Sequence, residues 1–330
     1  DEVEDQLEEY VRQSADNELP RPTGDGIGKI EHNSNLAHFY AHFVRHTIDT
    51  SLEGMTIVYD GANGAASSVG PEILAGLGAK VININVNPDG LNINHHCGST
   101  HIEGLQVAVQ QHNADLGIAN DGDADRCLLV DEKGQVLDGD QIMLLCALKL
   151  KEEGKLKDDT VVGTVMSNIG FHKAAQELGM KTFATAVGDR YVLEYMREHN
   201  LSVGGEQSGH VIFLDHNTTG DGMLTAVQVA ALMKEKNQPL SELAGIMTKY
   251  PQVLINVRVA TKTGWEDNDI IKAAIVTAEG ELGVEGRVLV RASGTEPLIR
   301  VMAEGPNQEE LQALCQEIAD IIGREQGLAE

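Results

Sequence analysis

The stretch Asn120-Asp121-Gly122-Asp123-Ala124-Asp125-Arg126 alternates three carboxylates with two of the smallest residues and closes on an arginine. An apolar run, Asp115-Leu116-Gly117-Ile118-Ala119, precedes it, and Cys127-Leu128-Leu129-Val130 follows. This pattern predicts a tight acidic loop between two strands. Three like charges so close together repel one another. A hard divalent cation offsets that repulsion, and an all-oxygen ligand set from Asp121, Asp123 and Asp125 suits Mg2+ or Ca2+. A solvated acidic turn is the plainer reading of three alternating aspartates taken alone. An EF-hand is excluded: Glu132 stands at the twelfth position, but Arg126 occupies the sixth, where that loop needs glycine, and the flanks read as strands. Arg126 beside a cation points to an anion, because a guanidinium and a metal together clamp a phosphate.

Around this loop the chain alternates strands and helices. Met55–Tyr59 reads as a strand, the turn Asp60-Gly61-Ala62-Asn63-Gly64 leads to a helix ending at Leu77, and Lys80–Ile84 is the next strand. A helix from Ile102 to His112 enters the acidic loop, and Gln141 to Lys151 is a further helix. The pattern then recurs: strand Val161–Val165, helix Phe171–Leu178, strand Lys181–Ala184, a helix to His199, strands Leu201–Val203 and Val211–Leu214, and a helix to Lys234. After Tyr250-Pro251 the order changes to strand Val253–Val259, helix Asn268–Leu282, strands Arg287–Val290 and Ile299–Ala303, and helix Gln308–Ile322. That order suggests an antiparallel sheet with helices on one face. The expected fold class is α/β: two similar three-layer α/β domains with mixed sheets, then a smaller α+β C-terminal domain. Before them, residues 2–15 read as an acidic helix with Val3, Leu7, Tyr10 and Val11 on one face, stopped by Pro20 and Pro22, and a second helix spans roughly Asn35 to Asp49. The first fifty residues hold too few apolar positions for a core. The expected divisions are 1–50, a remnant and linker; 51–152, with the metal loop; 153–250; and 251–330.

Two more segments carry chemistry. Arg291-Ala292-Ser293-Gly294-Thr295-Glu296-Pro297-Leu298-Ile299-Arg300 offers two guanidiniums, two hydroxyls and a glycine amide. Arginine forks bind phosphate bidentately, and hydroxyls and N–H groups fill its remaining lone pairs. Gly205-Glu206-Gln207-Ser208-Gly209-His210 alternates acceptors and donors in a flexible loop, as sugar hydroxyls require, although His210 alone fits a packed histidine equally well. Asp60-Gly61-Ala62-Asn63-Gly64 lacks the spacing of a nucleotide loop and reads as structural.

Lys and Arg number 25 against 51 Asp and Glu, for a formal net charge of -26. Nucleic acid and anionic membrane are thereby unlikely partners, and an anionic substrate must be held by local arginines. Cys97, Cys127, Cys146 and Cys315 are scattered without metal-site spacing, as for buried thiols in a reducing, cytoplasmic setting. No apolar run reaches the length of a membrane span.

Asp121-Gly122-Asp123-Ala124-Asp125-Arg126, Gly205-Glu206-Gln207-Ser208-Gly209-His210 and Arg291-Ala292-Ser293-Gly294-Thr295-Glu296-Pro297 together resemble the α-D-phosphohexomutase family in order and spacing. The Glu-Gln-Ser form of the middle motif looks most like the family's glucosamine branch. The resemblance implies four domains around one cleft, with Asp121, Asp123 and Asp125 holding Mg2+ and Arg126 touching a phosphoserine. It implies that Glu206 and Ser208 bind sugar hydroxyls and that His210 sits near the reacting oxygen as a proton-transfer group. Arg291, Ser293, Gly294, Thr295 and Arg300 would grip the non-reacting phosphate, and Gly188, Asp189 and Arg190 match another cleft loop. The substrate would be a phosphorylated amino sugar, converted through a phosphoserine and a bisphosphate. The family's Ser-His-Asn-Pro, which carries that serine, does not occur here, and Ser99-Thr100-His101 is no substitute. The chain thus reads as domains two to four, with residues 1–50 resembling the tail of the first, and is expected to be inactive alone. A homodimer, or association with the missing first domain, is the expected assembly. Alternatives are a phosphomannose or phosphoglucose mutase of the same family, or a non-catalytic phosphosugar-binding module.

Overall fold

The computed structural model describes residues 2–15, 19, 21–31, 33, 35–294 and 296–327; the expected helix stop at Pro20 and the site residue Thr295 lie outside them. Asp1–Phe39 and Tyr40–Glu330 form two units. In the first, α1 (Glu2–Ala15) carries Glu2, Glu4 and Asp5 in its first turn, where carboxylates complement the helix dipole. Val3, Leu7, Tyr10 and Val11 lie exposed along it. Helix α2 (Asn35–Arg45) buries Ala41 and Val44. It stops at Arg45 rather than near Asp49, and the Thr47 hydroxyl donates to the Val44 carbonyl at its end.

The apolar runs around the acidic loop build the first sheet of the second unit. Its elements are β1 (Thr56–Asp60), α3 (Val69–Gly76), β2 (Lys80–Ile84), α4 (Glu103–His112), β3 (Leu116–Asn120), β4 (Cys127–Asp131) and β5 (Val136–Leu137). The strand order is β2-β1-β3-β4-β5. β1 runs parallel to β2 and β3, and β4 and β5 are added antiparallel. All five residues of β3 are buried, which is why that strand reads as a continuous apolar run rather than an alternating one.

The second sheet repeats this plan with α5 (Gly139–Glu152), β6 (Thr160–Thr164), α6 (Ile169–Glu177), β7 (Lys181–Thr185), α7 (Asp189–His199), β8 (Val203–Gly205), β9 (Val211–Phe213), α8 (Gly222–Lys236) and the single turn α9 (Leu240–Leu243). Its order is β7-β6-β8-β9, with β6 parallel to β7 and β8, and β9 antiparallel. β8 starts later than the sequence reading places it. It takes in Gly204 and Gly205 because these pair with Ile212 and Val211, so the ladder continues to the neck of the polar loop. α5 and α8 are buried over most of their length and pack on each other, α8 also against β3 and β4, and α5 against β6 and β8. A helix between two sheets must be apolar nearly all round, and both are.

The last part holds β10 (Gln252–Arg258), α10 (Asp269–Leu282), β11 (Arg287–Ala292), β12 (Leu298–Glu304) and α11 (Gln308–Gln326). The sheet is antiparallel in the order β10-β12-β11. It has its own core around Trp265, Ile271, Ile299, Val301, Leu311 and Ile318. These three sheets carry the α/β class with a smaller α+β end.

A polar joint ties the last sheet to the second. Glu304, fully buried on β12, accepts from Ile169 N–H at 3.0 Å, Arg287 Nε at 2.8 Å and Gln252 Nε2 at 2.9 Å. Arg287 also donates to the Ser167 carbonyl at 2.6 Å. Beside it, buried Asp140 accepts the Asn168 N–H at 2.7 Å, and Asn168 exchanges bonds with the Tyr250 backbone. Among the described residues no helix is long and apolar enough to cross a membrane.

Burial, with the Asp138 charge adding to it, pushes the Asp140 carboxyl up to about 7. The folded state then binds this proton more tightly than the unfolded chain, whose carboxyl titrates near 3.8. Its contribution to stability is therefore greatest below the unfolded value and declines as pH rises through about 7. Asp140→Asn removes that slope, so the mutant gains on the parent between pH 5 and 8 in urea unfolding. A stability difference that does not change with pH refutes the assignment.

Candidate functional site

The acidic loop connects β3 to β4, and its two ends are pinned by side chains from inside. Tyr59 Oη donates to Asn120 Oδ1 at 3.0 Å, and Asn120 Nδ2 donates to the Arg126 carbonyl at 2.7 Å. Within the loop, Arg126 N–H donates to Asp121 Oδ1 at 3.2 Å, and Ala124 adopts a φ of 65°. The outcome is that Asp121, Asp123 and Asp125 each bring one carboxylate oxygen within 4.8 Å of the others. Asp125 Oδ1 is buried with no hydrogen-bond partner among the described residues. Burial, then the Asp125 charge, pushes the Asp121 carboxyl up to about 6. Three converging carboxylates, one of them with an orphaned oxygen, and a carboxyl made reluctant to ionise are what a hard divalent cation relieves, so the residues fit Mg2+. Arg126 Nε lies 3.6 Å from Asp121 and 3.9 Å from Asp125.

The turn read as structural in sequence buttresses this loop. Ala65 N–H donates to the Gly122 carbonyl at 2.8 Å, and a Cβ on Gly64 would fall 2.2 Å from the same oxygen. Only glycine allows that approach. Asp60, fully buried below, accepts from Ala62 N–H, Gly98 N–H and Asn85 Nδ2 and so fixes the turn to the neighbouring loops.

The polar loop after β8 is stitched to the metal loop by backbone. Cys127 N–H donates to the Gly209 carbonyl at 3.0 Å, Arg126 and His210 form an isolated antiparallel bridge, and Gly139 N–H donates to the Gln207 carbonyl at 3.0 Å. Gly209 has a φ of 97°, and a Cβ there would meet the Cys127 carbonyl oxygen at 2.4 Å. Glu206 Oε1 accepts the Gly188 N–H at 3.0 Å, joining this loop to the turn before α7. Arg126, Glu206 and Ser208 line one cleft of about 410 Å³ with Thr164, Met166, Val187 and Gln207.

His210 is 3% exposed. Gly220 N–H donates to its Nε2 at 3.0 Å, which places the ring proton on Nδ1, and Nδ1–H donates to Asp125 Oδ2 at 2.9 Å. The ring therefore holds Asp125, with its orphaned Oδ1, in place. Asp189 Oδ2 stands 4.0 Å from Nε2, and Arg190 pairs with Glu194 at 2.7 Å along α7.

The third group sits on the last sheet, and none of its described residues lines the 410 Å³ cleft. Arg291 and Arg300 are direct partners across β11 and β12, so two guanidiniums face each other. Burial and the Arg300 charge together lower the Arg291 pKa. Arg300 Nε is buried with no hydrogen-bond partner among the described residues, while Arg300 Nη2 reaches Glu296 at 3.3 Å and Ser293 Oγ at 3.5 Å. Lys262, which the sequence reading passed over, donates to the carbonyls of Ser293 at 2.7 Å and Gly294 at 3.2 Å. Its distance of some thirty positions from the motif left no local signal.

The chain belongs to the phosphoglucomutase/phosphomannomutase family. It matches the family's alpha/beta/alpha domain II over residues 37–134, alpha/beta/alpha domain III over 138–250 and C-terminal domain over 254–321. Among curated relatives, it is 54% identical to phosphoglucosamine mutase of Symbiobacterium thermophilum over 98% of this chain and 72% of that protein. It is 49% identical to phosphoglucosamine mutase of Bacillus subtilis over 99% of this chain and 73% of that protein. Its fold is shared with a phosphoglucomutase/phosphomannomutase family protein of Burkholderia thailandensis, at TM-score 0.76, 21% identity, and coverage of 97% and 70%. It is also shared with Aspergillus fumigatus N-acetylphosphoglucosamine mutase, solved with GlcNAc-6P and magnesium, at TM-score 0.69, 23% identity, and coverage of 86% and 68%.

Two outcomes are expected at the metal loop. Since metal binding needs the ionised carboxylate, Mg2+ affinity measured by calorimetry falls as pH drops through about 6, with proton release accompanying binding there; affinity unchanged from pH 7.5 to 5.5 excludes Asp121 as a ligand. Gly64→Ala displaces the Gly122 carbonyl, weakens Mg2+ binding and costs about 1–3 kcal/mol of stability. A mutant with the parent's Mg2+ affinity and melting temperature shows that the turn does not support the loop.

Proposed function

We propose that this chain carries the metal-, sugar- and phosphate-binding parts of a phosphoglucosamine mutase, which interconverts glucosamine 6-phosphate and glucosamine 1-phosphate. The observation that carries the reading is Arg126. Its guanidinium stands beside the converging aspartates and lines the same cleft as Glu206 and Ser208. The relatives at about half identity, named above, support the amino-sugar branch.

In this reading Asp121, Asp123 and Asp125 hold Mg2+, which when bound supplies Lewis acidity at the phosphoryl oxygens. Arg126 binds the reacting phosphoryl group, and His210 orients Asp125 from behind. Glu206 and Ser208 take the sugar hydroxyls. Arg291, Ser293, Gly294, Thr295 and Arg300 take the phosphate that does not react; Arg291 and Arg300 stand directly opposite each other across the ladder. The sugar passes through a bisphosphate that turns over within the cleft, with a phosphoserine as donor. Positioning and charge neutralisation carry the rate, as in phosphoryl transfer generally. The substrate is anionic and the chain strongly acidic, so recognition is local, and neither nucleic acid nor an anionic membrane is a partner. The compartment proposed is the cytoplasm.

No Ser-His-Asn-Pro stands within residues 1–330. The polypeptide 1–330 alone is therefore expected to bind glucosamine 6-phosphate, more tightly than glucose 6-phosphate, and to give no detectable glucosamine 1-phosphate, even when primed with a sugar bisphosphate. Competition calorimetry and mass-spectrometric product analysis test both. Turnover by a clean sample places the phosphoryl donor elsewhere in these residues, and equal affinity for the two sugars removes the amino-sugar assignment.

A further inference from the structure

Lys262 is half-buried, and it lies in the segment after β10, whose Val259 N–H donates to the Pro297 carbonyl beside the phosphate loop. It forms no ion pair among the described residues, in a chain with twice as many acids as bases. Its ammonium instead spends two hydrogen bonds on the carbonyls of Ser293 and Gly294, at 2.7 and 3.2 Å. A trans peptide sets the carbonyl of one residue and the N–H of the next on opposite sides. Drawing the Ser293 carbonyl toward Lys262 therefore turns the Gly294 N–H away from it. Gly294 is exposed, and a Cβ added there would meet nothing within 4 Å, so a ligand can approach this residue. Backbone N–H groups presented into an open concavity are anion donors, and a nearby ammonium strengthens the field they offer.

We infer that Lys262 is a positioning residue for the phosphate loop, orienting the Gly294 amide toward the phosphate of a sugar phosphate and adding an uncompensated positive charge behind the Arg291–Arg300 pair. The inference rests on the phosphosugar reading above and adds a residue to it. Lys262 does not touch the phosphate; it acts through the peptide it holds. Methionine at this position keeps the length of the stem but donates nothing. Arginine keeps the charge and can still donate to both carbonyls.

The test uses the 1–330 chain, its Lys262→Met and Lys262→Arg variants, and Arg291→Ala as a control, titrated calorimetrically with glucosamine 6-phosphate and with inorganic phosphate. The amide resonance of Gly294 is followed by NMR in each. Loss of a charge-assisted contact predicts about a tenfold weaker affinity in Lys262→Met, with recovery in Lys262→Arg. The downfield shift of the Gly294 amide on phosphate binding is expected in the parent and in Lys262→Arg, and is lost in Lys262→Met at an unchanged melting temperature. Parent-like affinity and a retained Gly294 shift in Lys262→Met, while Arg291→Ala loses binding, overturn the inference and leave the phosphosugar reading standing. A melting temperature that falls with the affinity in Lys262→Met and is not restored by arginine makes the residue a fold contact and also overturns it. If the parent itself binds neither ligand, the phosphosugar reading falls and the inference falls with it.

Discussion

Mutual repulsion among three carboxylates is the constraint around which this molecule is built. Asp121, Asp123 and Asp125 are held within 4.8 Å of one another by a backbone that has almost no freedom to relax. Asn120 clamps the loop ends, Tyr59 clamps Asn120, Gly64 lets a second turn press on Gly122, and His210 grips Asp125 from another sheet. Such a loop left to itself would splay into water. It stays closed because the atoms that hold it belong to strands buried in the core, whose packing outweighs the local electrostatic cost.

The same logic appears with opposite sign on the last sheet. Arg291 and Arg300 face each other across a ladder, and a third cation, Lys262, approaches from the side. Like charges placed opposite one another weaken a sheet, so the arrangement is tolerable where an anion relieves it. One centre thus calls for a cation and the other for an anion. The first is carried on the connection between β3 and β4, the second on paired positions of β11 and β12, and Arg126, Glu206 and Ser208 line one cleft. The joint of Glu304, Arg287 and Asn168 links the sheet that carries Arg291 and Arg300 to the sheet that carries the Glu206 loop.

Much of this was legible in the residues. The alternation of Asp121, Asp123 and Asp125, the glycine-rich polar loop and the paired arginines each state a chemistry in local sequence, because charge type and spacing along one loop decide it. The strands were legible because buried and half-buried strands leave characteristic apolar runs. The start of β8 was misplaced, since Gly204 and Gly205 look like loop residues and become strand only through pairing with Ile212 and Val211.

The sequence by itself determined the composition of each site: which side chains are present, their charge, and the order of strands and helices that carries them. Tertiary structure alone decided their partners. Nothing in the neighbourhood of His210 announces that its ring would hold Asp125, 85 positions away, or that Gly220 would set its tautomer. Nothing near Lys262 announces that it would hold the Ser293 carbonyl. Those relations depend on where separate strands end in space, and a hydrogen bond between distant residues leaves no periodicity in either segment. Local chemistry is written along the chain, whereas the direction in which a buried polar group points is set by the packing of everything around it.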